Sequence, residues 1–309
     1  MEKRTPLQWL MITLKGMGMG AADVVPGVSG GTIAFITGIY EELISSLSAI
    51  NFSALKVLKS DGITAAWKHI NGNFFVALFL GIAISIVSLA KIVTFLLATY
   101  PVLVWSFFFG LVIASAVLVL KTVKSWNVAT VLAILIGITI AAWISLQQTT
   151  ASGDSLAYIF LSGAIAICAM ILPGISGAFI LVLLGSYSVV LTGLKEFDVP
   201  LIVVFALGCV TGLITFSKVL KYLFEHYKKV VLALLSGFLI GSLVKIWPWK
   251  NPVGTEPIIV HSDGREEFMM QNVAPNNFYE EPQLFLALAL AFSGFIIIVA
   301  LSKFAPKDN

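Results

Sequence analysis

Uninterrupted apolar runs dominate this chain, and each is long enough to cross a bilayer. Six of them fall at about residues 74–99, 101–121, 128–147, 200–224, 230–247 and 284–304. A helix needs about 20 such residues to span the hydrocarbon, whereas a barrel strand needs about half as many and alternates in polarity. The runs therefore predict an all-α polytopic membrane protein. Composition agrees, with 59% of the 309 residues hydrophobic and 11% charged, against about 25% charged in a soluble domain. No aqueous segment is long enough to fold alone. The start, MEKRTPLQWLMITLKGMGMG, lacks the apolar core and small-residue cleavage site of a signal peptide and reads as a retained, partly amphipathic helix.

Two further apolar regions, about 12–48 and 155–195, are broken in the same way. The first contains VVPGVSGGTIAFITGIY from Val24, and the second ILPGISGAFILVLLGSY from Ile171. Pro and Gly are poor residues for the middle of a helix. Each phrase therefore predicts a hairpin of two shorter helices, with the breaks at Pro26-Gly27 and Pro173-Gly174.

The likeness extends well past the breaks. Pro26, Gly27, Ser29, Gly30, Gly38 and Tyr40 match Pro173, Gly174, Ser176, Gly177, Gly185 and Tyr187 at an offset of 147 (173 − 26). Further on, Gly81, Lys91, Tyr100, Gly110 and Ser115 match Gly208, Lys218, Tyr227, Gly237 and Ser242 at an offset of 127 (218 − 91). The difference reflects a longer link in the first half, around residues 51–73. The chain thus reads as two repeats, 1–147 and 148–309, each a broken, re-entrant hairpin plus three spans. Three is odd, so the second repeat is expected upside down relative to the first.

Basic residues give the same orientation independently. Lys3, Arg4, Lys56, Lys59, Lys68, Lys121, Lys124, Lys228, Lys229, Lys303 and Lys307 fall on one side of this topology. The other side holds the link at Tyr100, the QQTTASGDS and KEFDVP loops, and an acid-rich loop over 248–283. The positive-inside rule puts the first set, and both termini, in the cytoplasm. In the outer loop, IIVHSDGREEFMM reads as a small hairpin turning at Asp263-Gly264. Inverted repeats with broken helices are the sequence mark of alternating-access transporters, with substrate near the midplane.

The broken phrases are the candidate binding elements. A half-helix starting near Ser29 or Ser176 has backbone N–H groups with no intrahelical partner, at the positive end of its dipole. Gly30, Gly31 and Gly177 allow close approach to that backbone, and Ser29 and Thr32 add hydroxyls. Such an arrangement suits an anion, phosphate above all. The other reading is a plain re-entrant turn whose Ser caps its own helix. Lys91 and Lys218 lie inside apolar spans at matched places, where a cation is costly; they either serve the anion or snorkel to an interface. Asp23, Glu41 and Glu42 flank the first break and match Met170, Ser188 and Val189. Asp23 and Glu41 are candidates for a coupling proton, or else interfacial acids at helix ends. His69, His226 and His261 fall in expected loops. Cys168 and Cys209 read as small buried residues, and no Cys/His cluster has metal-ligand spacing. No metal, cofactor or nucleic-acid partner is expected.

The stretch GMGMGAADVVPGVSGGTIAFITGIYEELI resembles the opening signature of the bacterial polyprenyl-phosphate transporters. The resemblance covers essentially the whole chain, the second PGISG and the matched lysines included. It implies a transporter, not an enzyme, that returns undecaprenyl phosphate from the outer to the inner leaflet of the cytoplasmic membrane. It assigns no individual role to Ser29, Lys91, Ser176 or Lys218. Two rival readings stand beside it. PGVSGGT is also similar to the PGxSRS stretch of membrane undecaprenyl-pyrophosphate phosphatases, but Gly30 and Gly177 occupy the Arg place, and the chain's two arginines, Arg4 and Arg265, lie outside the spans. The second rival is a small-anion or other solute exporter.

Overall fold

The computed structural model describes residues 4–24, 29–123, 126–147, 155–254, 259–260 and 266–304. The described residues form twelve α-helices and two small two-stranded ribbons. Helices α5 (Gly72–Thr99), α6 (Pro101–Thr122), α7 (Val128–Leu146) and α11 (Val199–Ser242) are long and apolar enough to cross a membrane, and α12 (Leu284–Phe304) is a further apolar helix. The protein is therefore a multi-pass, mostly helical membrane protein. Large apolar side chains such as Val87, Phe95, Trp143 and Phe285 are exposed on its outer surface, as lipid contact requires.

Helix α11 has 44 residues, roughly 66 Å at 1.5 Å per residue and about twice the hydrocarbon thickness. It is not continuous: Tyr227 leaves the helical region at φ −131°, ψ 32°. The matched Tyr100, which ends α5 ahead of Pro101, has φ −133°, ψ 54°. Two spans thus meet at a tyrosine in each half, once with a proline beside it and once without.

Each broken hairpin differs from the expected pair of helices. One longer helix is followed by two short ones: α1 (Pro6–Val24), then α2 (Gly30–Ile36) and α3 (Tyr40–Ala49). The second group is α8 (Leu156–Ile171), α9 (Gly177–Leu183) and α10 (Tyr187–Lys195), with α9 and α10 bent by 107°. The extra bends sit at Gly38 and Gly185, whose φ values of +75° and +66° suit glycine and few other residues. Pro26 and Gly27 lie outside the described residues; Pro173 is buried, and Gly174 has φ +84°.

Close packing of helices carries the rest. α1 packs on α5, α8 on the first part of α11, α6 on α12, and α7 on the second part of α11. At each interface a glycine faces a backbone carbonyl that a methyl group would strike. Gly16 meets Leu78 O and Gly163 meets Phe205 O; Gly81 meets Thr13 O and Gly208 meets Phe160 O. Gly110 meets Ala291 O and Gly237 meets Ile134 O; Gly294 meets Phe107 O and Gly137 meets Leu234 O. Lipid tails are as apolar as leucine, so such van der Waals contact at small residues is what holds membrane helices together. Cys168 and Cys209 belong to the same layer, facing the carbonyls of Gly212 and Gly163 across the α8–α11 interface.

Three elements depart from expectation. The link after the first hairpin contains α4 (Phe52–His69), capped by Asn51, bent at Gly62, and without a buried residue. Its charges hid it from a search for apolar runs. His69 and His226 lie in α4 and α11 rather than in loops. In the outer loop β2 (Ile259–Val260) pairs antiparallel with β3 (Glu266–Glu267), while the expected turn at Asp263-Gly264 lies outside the described residues. β1 (Lys250–Val253) pairs with β4 (Met269–Asn272) beside it.

Candidate functional site

The start of α2, just past the first break, lies against the second break. Ser29 is the N-cap of α2, in extended conformation, and its Oγ accepts from Gly31 N at 3.1 Å. The same hydroxyl donates to Met170 O at 2.9 Å, a carbonyl in the last turn of α8 with no intrahelical donor of its own. Thr32 returns the contact: its Oγ1 accepts from Gly174 N at 2.9 Å. Ser29 and Thr32 are each only 1% exposed. Gly31 closes the joint, since a Cβ there would lie 2.6 Å from Ile171 O.

The first turn of α2 is already occupied. Gly30 N donates to Asp23 Oδ1 at 2.6 Å, and Thr32 N donates to Ser29 O at 2.8 Å. The expected arrangement left these N–H groups for a ligand; here a carboxylate of the chain itself takes the anion's place. Ser176 also caps its helix, α9, but its Oγ accepts one residue further on, from Phe179 N at 3.4 Å. The position matching Asp23 is Met170, so no acid stands there. Gly177 packs instead on Ala166 O and the Met170 side chain.

Beside the second break is a small cavity of about 10 Å³, where Ser145, Ser176 and Lys245 line it together with Gly174 and the apolar Ala141, Ile144, Ile175 and Phe179. The Lys245 ammonium lies 3.7 Å from the centroid of the Phe179 ring. Sequence inspection passed over Lys245 because it follows α11 near an expected helix end, where lysines commonly snorkel. The signal available was its mismatch: the equivalent position in the first half is Leu118 (245 − 127).

The remaining candidates stand apart. Lys91 and Lys218 are exposed on α5 and α11. Glu41, at the start of α3, pairs with Lys228 at 2.8 Å and lines a second cavity of about 180 Å³ with Ile44, Ser45, Lys221, Phe224 and Glu225. Glu42 pairs with Arg4 at 2.6 Å and accepts from Asn71 at 2.8 Å. Among the described residues no three His, Cys, Asp or Glu side chains are grouped to hold a metal.

The profile of the family described as undecaprenyl phosphate translocase-like matches residues 19–262, both breaks and the glycine-lined interfaces of α5 and α11 included. The chain belongs to that family. It is 43% identical over 306 residues to a protein of Vibrio cholerae named polyprenyl-phosphate transporter, covering 97% of this chain and 98% of that one. A Staphylococcus aureus protein of the same name is 32% identical over 259 residues, covering 78% of this chain and 87% of its own length. No solved structure matches this family member.

Proposed function

We propose that this protein is a transporter of polyprenyl phosphate, undecaprenyl phosphate in the bacterial cell, which it returns from the outer to the inner leaflet of the cytoplasmic membrane. The observation that carries the reading is the hydrogen-bonded contact of the two breaks, Ser29 to Met170 O and Gly174 N to Thr32. The names of the two relatives supply the substrate class.

The physical problem explains the architecture. A phosphate monoester carries about −1.5 to −2 charges near neutral pH, and its head group must leave water to cross, while the polyprenyl tail stays in lipid. Polar groups at mid-depth, reachable from either side in turn, meet that need. Two inverted repeats, 1–147 and 148–309, would supply them. The recurrence of Gly–carbonyl contacts at matched positions, and of the Tyr100 and Tyr227 bends, supports that symmetry. Both termini lie in the cytoplasm in this arrangement.

In the transport cycle Ser29, Gly30, Gly31 and Thr32 on one side, and Ser176 and Gly177 on the other, bind the phosphate when the joint between the breaks opens. Pro26-Gly27 and Pro173-Gly174 are its hinges. Asp23 holds the Gly30 N–H while no lipid is present, so a proton on Asp23 would release that group to the phosphate. Glu41, tied to Lys228, closes the opposite end of hairpin and bundle and is the second coupling candidate. Lys91 and Lys218 serve the approach of the head group along the lipid surface.

Transport of a short-chain polyprenyl phosphate by proteoliposomes, with and without a pH gradient, tests the proposal. Protein-dependent movement of the intact lipid is expected. Release of inorganic phosphate would make the protein a hydrolase, and movement of free phosphate alone would make it a solute exporter.

A further inference from the structure

The residues that cap the two short helices, Ser29 and Ser176, are both extended, but the charges beside them are opposed. Near Ser29 stands the carboxylate of Asp23, and the matched position at the second break is Met170. Near Ser176 stands the ammonium of Lys245, and the matched position in the first half is Leu118. A second ammonium lies close behind it. Lys250 on β1 donates to the Lys245 carbonyl oxygen at 2.5 Å, with its Nζ 4.4 Å from the centroid of the Trp105 ring. Burial, and after it the neighbouring Lys245 charge, push the pKa of Lys250 down to about 7.

Among the groups lining the small cavity are three that could recognise a phosphate monoester. Lys245 presents a charge, and Ser145 and Ser176 present hydroxyls from α7 and the break. The Ser176 oxygen accepts from Phe179 N, which leaves its proton free to turn toward the cavity. Ser145 now donates to Ala141 O at 2.7 Å within its own helix, a bond a serine gives up by rotating about χ1. At about 10 Å³ the cavity has room for one water at most. Lys245 and Phe179 both line it, with the ammonium over the ring, and a cation–π contact is worth about 0.5–2 kcal/mol, less than a charge-assisted bond to a divalent anion.

We propose that Lys245 is the head-group-capturing residue of this transporter: resting on Phe179 while the site is closed, it swings to the phosphate of an incoming polyprenyl phosphate between Ser145 and Ser176, with Lys250 behind it. The inference rests on the polyprenyl-phosphate reading and adds a sidedness to it. The half bearing Lys245 binds the head group tightly, and the half bearing Asp23 binds it weakly, so capture and release occur at different breaks.

The test compares farnesyl phosphate with farnesol as ligands of the purified full-length protein. The wild type should prefer the phosphate. Lys245→Met should lose roughly tenfold or more of phosphate affinity, the worth of one hydrogen bond to a charged group, and keep its affinity for farnesol. Phe179→Leu, which frees the ammonium from the ring, should tighten phosphate binding by roughly two- to fivefold. Lys245→Cys should recover the preference after reaction with a thiol reagent that adds an aminoethyl group, and stay weak after one that adds a sulfonate. Unchanged phosphate preference in Lys245→Met, or weaker phosphate binding in Phe179→Leu, overturns the assignment and leaves the transport reading standing. A wild type that binds farnesol as tightly as farnesyl phosphate overturns the transport reading itself.

Discussion

Gly174 N donates to Thr32 Oγ1 at 2.9 Å across 142 residues of sequence, and this bond joins the two breaks. Thr32 is 1% exposed, so no solvent stands ready to replace the acceptor. Thr32→Val keeps the shape and removes the oxygen, which strands a buried N–H at a cost of about 1–3 kcal/mol. We expect a lower thermal midpoint in detergent and impaired transport, with Thr32→Ser close to wild type on both measures. A Thr32→Val protein as stable as wild type would mean that the joint opens without cost.

Gly110 and Gly294 each face a carbonyl of the opposing helix at the α6–α12 interface. Gly237 and Gly137 do the same between α11 and α7. A methyl at any of the four forces the helices apart, and overpacking of this kind costs about 1–3 kcal/mol. Gly110→Ala and Gly237→Ala should therefore destabilise to a similar degree. The double variant Gly110→Ala, Gly294→Ala should cost less than the sum of its parts, because one displacement of α12 relieves both contacts. Additive losses in denaturation would show that the two glycines are not sensing one interface.

Asp23 Oδ1 accepts from Gly30 N at 2.6 Å. Asn at this position still offers an oxygen but carries no charge and takes up no proton in the working range. If protonation of Asp23 frees the site, Asp23→Asn should flatten the pH dependence of transport while leaving lipid-phosphate binding nearly intact. The measurement is initial rate against pH in proteoliposomes. A profile that keeps the wild-type slope would reduce Asp23 to a cap of α2.

Lys91 and Lys218 are exposed on the surface of their helices. A role in approach is long-range and screened by salt. Lys91→Met, Lys218→Met should slow transport at low ionic strength and match wild type at about 0.5 M salt, with head-group affinity unchanged. A loss of affinity that persists in high salt would place these lysines at the bound phosphate after all.

The orientation is testable by side-specific labelling. Single cysteines in the 148–154 and 255–270 loops should react with an impermeant thiol reagent from outside intact cells. Cysteines replacing Lys59, Lys124 or Lys229 should react only after lysis. The reverse pattern would invert the whole assignment of inner and outer breaks.

The spans were legible because a helix in lipid must be apolar for about 20 residues, and few other constraints write so long a signal. The breaks were legible because Pro and Gly are conspicuous inside such runs. The bends at Gly38 and Gly185 were missed, since a lone glycine in an apolar run is as often a packing residue as a positive-φ residue. The helix at Phe52–His69 was missed because it obeys no membrane pattern. Lys91 and Lys218 drew attention through their repetition; repetition reports a shared place on a helix, and both are exposed there.

The linear chain thus determined the class, the spans, the repeated phrase and the family likeness, all of which follow from local patterns of residue type. Tertiary structure alone decided that the breaks touch, that Ser29 and Thr32 are spent on holding them together, and that Asp23 already occupies the Gly30 N–H. It also decided that the cation beside the second break is Lys245, set over the ring of Phe179, 66 positions away (245 − 179). The reason is geometric. Periodicity reports which face of one helix is apolar, whereas a site between two breaks depends on where separate helices cross, and that is set by the sum of many glycine–carbonyl contacts spread along the whole chain.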